Sequence, residues 1–558
     1  MKQSKKHIAL SFPKSTTWIF ILIFSFAAAF SIYTAYFYSL QLLDSDASSE
    51  LVLANLLSQQ GSILTTDWFY SNEIRLLQTN LIFAPLFTLF SNWHTVRFIG
   101  TILLQAILLF SYYYACKQMK VSPRAYLCTA AILVLPFSIP YGRIVLFHTY
   151  YLPYCVIGFL LVGLFLSAVR HQKRPFSARQ WCRILYGVFL SFGSGLTGVR
   201  QLMSTLVPLV FATIFLFFSQ DRDERSATEA PKSFSVLLAF AMLLAGAAGF
   251  WVNTTILSQI YSLRVFDQIN LSFAEVEDLR SILLGYLKQF GFQTGRMLLS
   301  VEGMLSCGGL FAAGYFAIKG GEAFKKKTSE LPITNHYAWV FFPIATLLMI
   351  GVFVFTQGNL HYTLYLLPAI IWSLPLLAAL LDKEIFSTSF SLTSITLRQG
   401  ALLLCLFLLL ANGCYNNLFF LNPEEKPVAY EGLGRTETDN IYRLEEVIEF
   451  LESDGYTHGY ATFWNANIIT EITHGKITMS DIIFENGIIA YHDWLSVKHF
   501  REREYIEKQV PFLLLAHNEV DAFSETPLAE FAYEVHYDYH YIVYGFDDPL
   551  DIWECMKR

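Results

Sequence analysis

Three carboxylates stand where a long apolar run stops: Asp44, Asp46 and Glu50, in "YSLQLLDSDASSELVLANLLSQQG" (38–61). A carboxylate can take the proton from an attacking hydroxyl. Other charged and polar groups recur at the ends of other apolar runs. They are Glu73 and Arg75 in "WFYSNEIRLL", Arg143 and His148 in "IPYGRIVLFHTYYLP", Arg200 in "GSGLTGVRQL", Arg296, and His361 and Tyr362 in "GNLHYTLYLLP". Arg and His donate to phosphate oxygens and stabilise a phosphate as it leaves. Acids beside such donors suit transfer of a group from a phosphate to a hydroxyl.

The elements that must hold these residues follow from composition. The 558 residues are 54% hydrophobic, 16% aromatic and 15% charged, with 50 Phe. Soluble domains carry about 25% charge, so this is an integral membrane chain. The net charge of -6 divides unevenly. Residues 421–558 hold 10 Lys+Arg against 27 Asp+Glu, and the rest holds 29 against 18. The acidic tail reads as a separate soluble piece, and nothing supports nucleic-acid binding. The eight cysteines form no CxxC and lie mostly in apolar runs, as small buried hydrophobes.

Apolar stretches predict eleven spans, near 17–40, 96–116, 125–140, 149–169, 184–197, 201–219, 233–255, 300–319, 338–356, 362–381 and 400–420. The segment 81–90, "LIFAPLFTLF", is too short to span and reads as interfacial or re-entrant. With the N-terminus inside, inner segments hold 21 Lys and Arg and the longer outer ones 8, which fixes orientation. An odd number of spans then sends the tail outside. The first span exceeds a signal-peptide core and is retained. Domains are therefore expected at 1–420, spanning the membrane, and 421–558, a soluble α/β unit. Outer loops 41–95 and 256–299 contain "SSELVLANLLS" and "AEVEDLRSILLGYLKQF", read as amphipathic helices lying on the membrane. In the tail, "IYRLEEVIEFLES" has helical period. "GYATFW", "PFLLLA" and "YHYIVYGF" read as strands.

With this topology the sequence resembles the GT-C glycosyltransferases, multispan enzymes that use polyprenyl-phosphate sugars. In that class one span is followed by a long outer loop that begins with a catalytic Asp and carries helices on the membrane surface. Here span 17–40 is followed by "DSDASSE" and then "LVLANLLSQQGSILTTDWFYSNEIRLLQTNLIFAPLF". "HYTLYLLP" also resembles the class, where an Arg or His plus a Tyr lies near the lipid phosphate, and an outer C-terminal domain is common there. The resemblance implies a cell-membrane enzyme. Its donor would be an undecaprenyl-phosphate sugar and its acceptor a cell-surface glycan or cell-wall polymer, with an inverting displacement.

By placement, Asp46 is the favoured general base, since it opens the helix and Glu50 lies on the same face. Asp44 is the alternative or a helper. Arg143, His148, Arg200, His361 and Tyr362 are the candidates for the lipid phosphate. Glu50, Glu73 and Arg75 are candidates for the acceptor or the loop. "DSD" also looks like the Asp-x-Asp metal motif of nucleotide-sugar enzymes. Those bind a soluble diphosphate inside the cell and this loop is outside, so that reading is discounted; the sequence names no certain cofactor, and a divalent metal stays open. Plainer roles compete for several of these residues. Asp46 suits a helix N-cap, Glu73 and Arg75 a local ion pair, and Arg143 or His148 snorkelling to headgroups. Trp464, Asn465 and Asn467 could touch sugar, but a packed strand and turn is the better reading. A flippase or transporter should show internal repeats and midplane polar groups, and neither is visible. A polysaccharide polymerase or ligase, and a non-catalytic scaffold, are the further alternatives.

Overall fold

The computed structural model describes residues 17–41, 43–170, 177–219, 232–264, 273–325, 333–356, 363–386, 395–421, 441–485 and 487–556. His361 and Tyr362 lie outside the described residues. Among the described residues, nine helices are long and apolar enough to cross a bilayer, and the chain is a multi-pass membrane protein. Two of the eleven expected spans are not among the nine. The stretch 125–140 forms a helix over Pro123–Leu133 only, followed by a turn. The stretch 184–197 lies in the helix Ala178–Gly195, whose first turns carry Arg179 and Arg183 and whose buried face is mostly Gly and Ser.

Helix α1 (Thr17–Gln41) turns Trp18, Leu22 and Phe26 outward. In a bilayer that face meets lipid, since the helix satisfies its own backbone polar groups. It is followed by α2 (Ser45–Gln60), α3 (Asn80–Phe87) and α4 (Trp93–Gln118). The N-cap of α2 is Asp44, whose Oδ1 accepts from Ala47 N at 2.9 Å. Asp46, read above as a possible cap, instead lies in the first turn. Gly61, at φ +61°, closes the helix by donating to the Leu57 and Ser58 carbonyls.

The expectation that α2 lies on the membrane is corrected. Eleven of its residues are buried, from Ser45 through Leu57. It packs against α3 and against a C-terminal helix, Phe463–Ile472. Ser49 donates to the Asp46 carbonyl and Glu50 accepts from Thr79 and Gln78 inside the protein, so the helix's mixed composition imitated a surface helix. The expected helix in loop 256–299 is present as Val276–Lys288, with Ile282 and Tyr286 buried and Val276, Leu279 and Leu283 exposed.

Among the described residues, nine strands form two sheets. They are β1 (Trp68–Tyr70), β2 (Ser262–Leu263), β3 (His458–Thr462), β4 (Thr478–Glu485), β5 (Ile488–Tyr491), β6 (Ser496–Val497), β7 (Pro511–Ala516), β8 (Ala532–Tyr537) and β9 (Tyr541–Phe546). The larger sheet runs β5-β4-β3-β7-β9-β8. Strand β3 is parallel to β4 and β7, and the outer pairings are antiparallel. One face packs on the helix Ile441–Ser453 through Leu444, Val447 and Leu451, as the helical period predicts. Trp464, Asn465 and Asn467 were read as strand and turn, but they lie on the helix Phe463–Ile472. The smaller sheet, β2-β1-β6, joins the segments 41–95 and 256–299 to the C-terminal region.

Candidate active site

The segment after α1 brings Asp44 to the stretch that carries Arg143 and His148. Asp44 is 1% exposed. Its Oδ2 lies 3.1 Å from an Arg143 terminal nitrogen and 3.1 Å from His148 Nδ1. The Tyr38 hydroxyl meets the other ring nitrogen, His148 Nε2, at 2.9 Å. The stretch carrying Arg143 and His148 is a wide π-turn over Gly142–Phe147, with His148 at its C-terminal end. Such turns are frequent at functional sites. Thr149 follows at φ +63°, a strained position for a β-branched residue. Both oxygens of Asp44 are thus committed, one to the helix cap and one to Arg143 and His148.

A second cluster forms around Arg200. Its guanidinium lies over the rings of Tyr365, Tyr151 and Tyr154, at 4.6, 5.2 and 5.7 Å from their centroids. One nitrogen donates to the Tyr365 hydroxyl at 3.4 Å, while the buried Nη1 has no hydrogen-bond partner among the described residues. Arg75 joins the same cluster: Tyr154, Arg200, Glu73 and Glu50 are the charged and titratable groups that act on it. Its Nε lies 4.0 Å from Glu73 Oε1, and neither atom has a hydrogen-bond partner. Two guanidiniums near enough to repel, each with an unused buried N–H group, are costly unless an anion balances them.

The backbone around this cluster is clamped. The Asn253 amide donates to the carbonyls of Ile74 and Leu196, each at 2.6 Å, and its oxygen accepts from Ile74 N at 3.4 Å. Ile74 lies between Glu73 and Arg75, so one side chain fixes both neighbours. Leu77 N donates to Thr197 Oγ1 and Val199 N to Glu73 Oε2. At Gly198, φ is +108°, and a Cβ there would stand 1.8 Å from Glu73 Oε2.

Glu50 links the two clusters. Its carboxylate accepts from Thr79 Oγ1 and from Gln78 Nε2, and the same Gln78 nitrogen donates to the Tyr150 carbonyl. Burial pushes the Glu50 carboxyl above its ordinary range, against the pull of Thr79, Gln78, Arg75 and Arg97. Asp46 is half-buried, one turn before Glu50 on the same helix face, about 6 Å along the axis.

The sequence-level set is therefore regrouped. Asp44, Arg143 and His148 form one network; Arg75, Arg200 and Glu73 form another, with Glu50 and Gln78 between them. Arg296 stands apart at an exposed turn, donating to Gln293. Asn253, Gly198, Gln78, Tyr38 and the tyrosines around Arg200 were not singled out from sequence. Only the glycine in "LTGVRQ" offered a local signal. A divalent cation does not fit Asp44, since Arg143 already holds the oxygen it would need. Among the described residues, no group of three or more His, Cys, Asp or Glu could hold a metal ion.

No protein-family model matches the sequence, and no curated protein matches it. Solved structures do match. ArnT from Cupriavidus metallidurans, bound to undecaprenyl phosphate, superimposes over 95% of this chain and 98% of its own, at TM-score 0.55 and 11% identity. The apo oligosaccharyltransferase of Archaeoglobus fulgidus aligns over 97% of this chain and 76% of its own, at TM-score 0.46 and 12% identity. The alignment with ArnT spans nearly the whole of both chains, and the chain has the GT-C fold.

Proposed function

We propose that the protein is a membrane glycosyltransferase that takes a sugar from a polyprenyl phosphate carrier and places it on a hydroxyl of a surface glycan or cell-wall polymer. The observation that carries this reading is the pair Arg75 and Arg200, with unpartnered buried N–H groups beside tyrosine rings. An anionic phosphate on a lipid satisfies both. The solved ArnT complex with undecaprenyl phosphate supports the same ligand class in this fold. The excess of Lys and Arg on one set of loops supports an inside N-terminus, with the site and the domain at 421–558 outside.

In the transfer, the acceptor oxygen bonds to the anomeric carbon while the bond from that carbon to the phosphate oxygen breaks. The acceptor proton passes to a carboxylate, and the departing phosphate gains a negative charge that Arg75 and Arg200 balance. Asp46 is the better base of the two. Asp44 is enclosed and caps the helix, whereas Asp46 is part-exposed on the helix face it shares with Glu50. Asp44 then fixes the start of α2, with Arg143 and His148 holding it.

The test uses the purified protein in nanodiscs with a polyprenyl-phosphate sugar. Asp46→Asn should lower kcat by about 10²–10⁴-fold and leave lipid binding intact. Arg75→Ala and Arg200→Ala should each cost about 10²–10³-fold in kcat and weaken polyprenyl phosphate binding. Transfer that survives both Asp46→Asn and Asp44→Asn would sink the base assignment. Unchanged lipid affinity in both arginine variants would sink the phosphate site.

A further inference from the structure

The most enclosed arginine–carboxylate pair described lies outside both clusters. Arg97, near the start of α4, is 1% exposed and Glu471, on the helix Phe463–Ile472, is 3% exposed. They pair in a fork: Arg97 Nε donates to Glu471 Oε1, and Nη2 to Oε2 at 2.6 Å. That same Nη2 donates to the Ala47 carbonyl at 2.9 Å. Ala47 is the residue whose N–H caps on Asp44, and it follows Asp46 directly.

A bidentate pair fixes a guanidinium in plane and direction. Here the fixed plane has its spare bond on the first turn of α2. A helix carbonyl in that turn ordinarily needs only its backbone partner, so an arginine delivered to it from another element constrains where the turn sits. The Ser48 N–H bonds the Asp44 carbonyl within the same turn, so a shift at Ala47 moves Asp44 and Asp46 together. Arg97 also acts electrostatically on Glu50.

We infer that Glu471 and Arg97 are positioning residues, through which the C-terminal domain sets the placement and charge of the acidic turn 44–50. The consequence for transfer rests on the function proposed above; the mechanical link does not. Glu471→Gln keeps the shape, breaks the fork and leaves the Arg97 charge unbalanced beside the turn.

Hydrogen–deuterium exchange on the full-length protein reads the link without any substrate. Amides 45–50 should exchange at least about tenfold faster in Glu471→Gln, while the helix Ile441–Ser453 stays protected as in the wild type. Unchanged protection at 45–50 overturns the inference. With a polyprenyl-phosphate sugar as donor, kcat should fall about 10–100-fold with the donor KM nearly unchanged, since small misplacements of reacting groups cost that much. The acid limb of the pH–kcat profile should move to lower pH, because an unbalanced guanidinium favours ionised carboxylates.

Arg97→Gln and the double variant should lose no more than the single changes, as expected of one unit; additive losses count against the link. Glu471→Asp keeps the charge, guards against a folding failure and should fall between. Should the wild type transfer nothing from this donor, the functional reading fails, and the exchange result alone decides this inference.

Discussion

Gly198 sets where Glu73 goes. At φ +108° a side chain would be strained, and a Cβ would overlap the carboxylate that accepts from Val199 N. Gly198→Ala is therefore expected to displace Glu73, and with it the neighbouring Arg75. Catalytic transfer should fall by at least about tenfold, with a stability loss of about 1–3 kcal/mol from the backbone alone. Steady-state rates beside thermal unfolding in detergent will separate the two, and wild-type rates would refute this arrangement. Residues such as Gly198 were only partly legible in the sequence. Arg75 and Glu73 are two residues apart and read as a local pair, whereas Arg200, the partner that changes their meaning, is 125 positions further on. Short spacing is visible in a sequence, and a clamp such as Asn253 on Ile74 is not.

Helix α2 shows the same limit at the scale of an element. Its start was legible, because Asp44 and Asp46 precede a run of good helix formers and Gly61 ends it. Its surroundings were misread, since the surfaces that bury it come from α3 and from the helix Phe463–Ile472, some 400 residues away. The eleven expected spans carried the right architecture with an inexact count, because Pro123–Leu133 and Ala178–Gly195 contribute helix without a long apolar stretch. Burial makes a prediction for α2 that a surface helix would not share. Leu51 is fully enclosed, so Leu51→Ala should cost about 2–5 kcal/mol. A helix lying on lipid would lose far less, so a change in unfolding free energy below about 1 kcal/mol would argue against the enclosed position.

Over the whole molecule, the C-terminal domain brings its own pH dependence. His458 is buried on β3, with Nδ1 2.8 Å from Thr478 Oγ1. Burial pushes its pKa down to about 3, with the nearby His499 adding to the effect. The unfolded chain takes up this proton near pH 6.5 and the folded one only near pH 3. The stability that His458 contributes is therefore complete above pH 6.5 and is lost progressively as pH falls towards 3. His492, pushed down to about 4, acts in the same sense. Asp481 acts in the opposite one: burial raises its carboxyl far above the usual range, so its contribution is lost as pH rises. The difference between wild type and His458→Gln isolates one term. The wild type should lose on the order of 3 kcal/mol more than the variant between pH 7 and pH 4. Parallel unfolding curves for the two proteins would show that His458 does not titrate this way.

The small sheet β2-β1-β6 carries a consequence for how the protein is made. Its three strands come from residues near 69, 262 and 496, and the middle strand, β1, sits in the loop that carries Arg75. A ribosome adds about 5–20 residues per second, so β1 waits roughly 20–90 s after its own synthesis before its last neighbour exists. Throughout that interval the helices can enter the bilayer one by one, while the outer loop lacks its final edge. Maturation of the site is thus deferred to the end of translation, and a nascent chain stalled before residue 496 would be inserted yet unfinished, with Trp68 and Phe69 open to a chaperone or a protease.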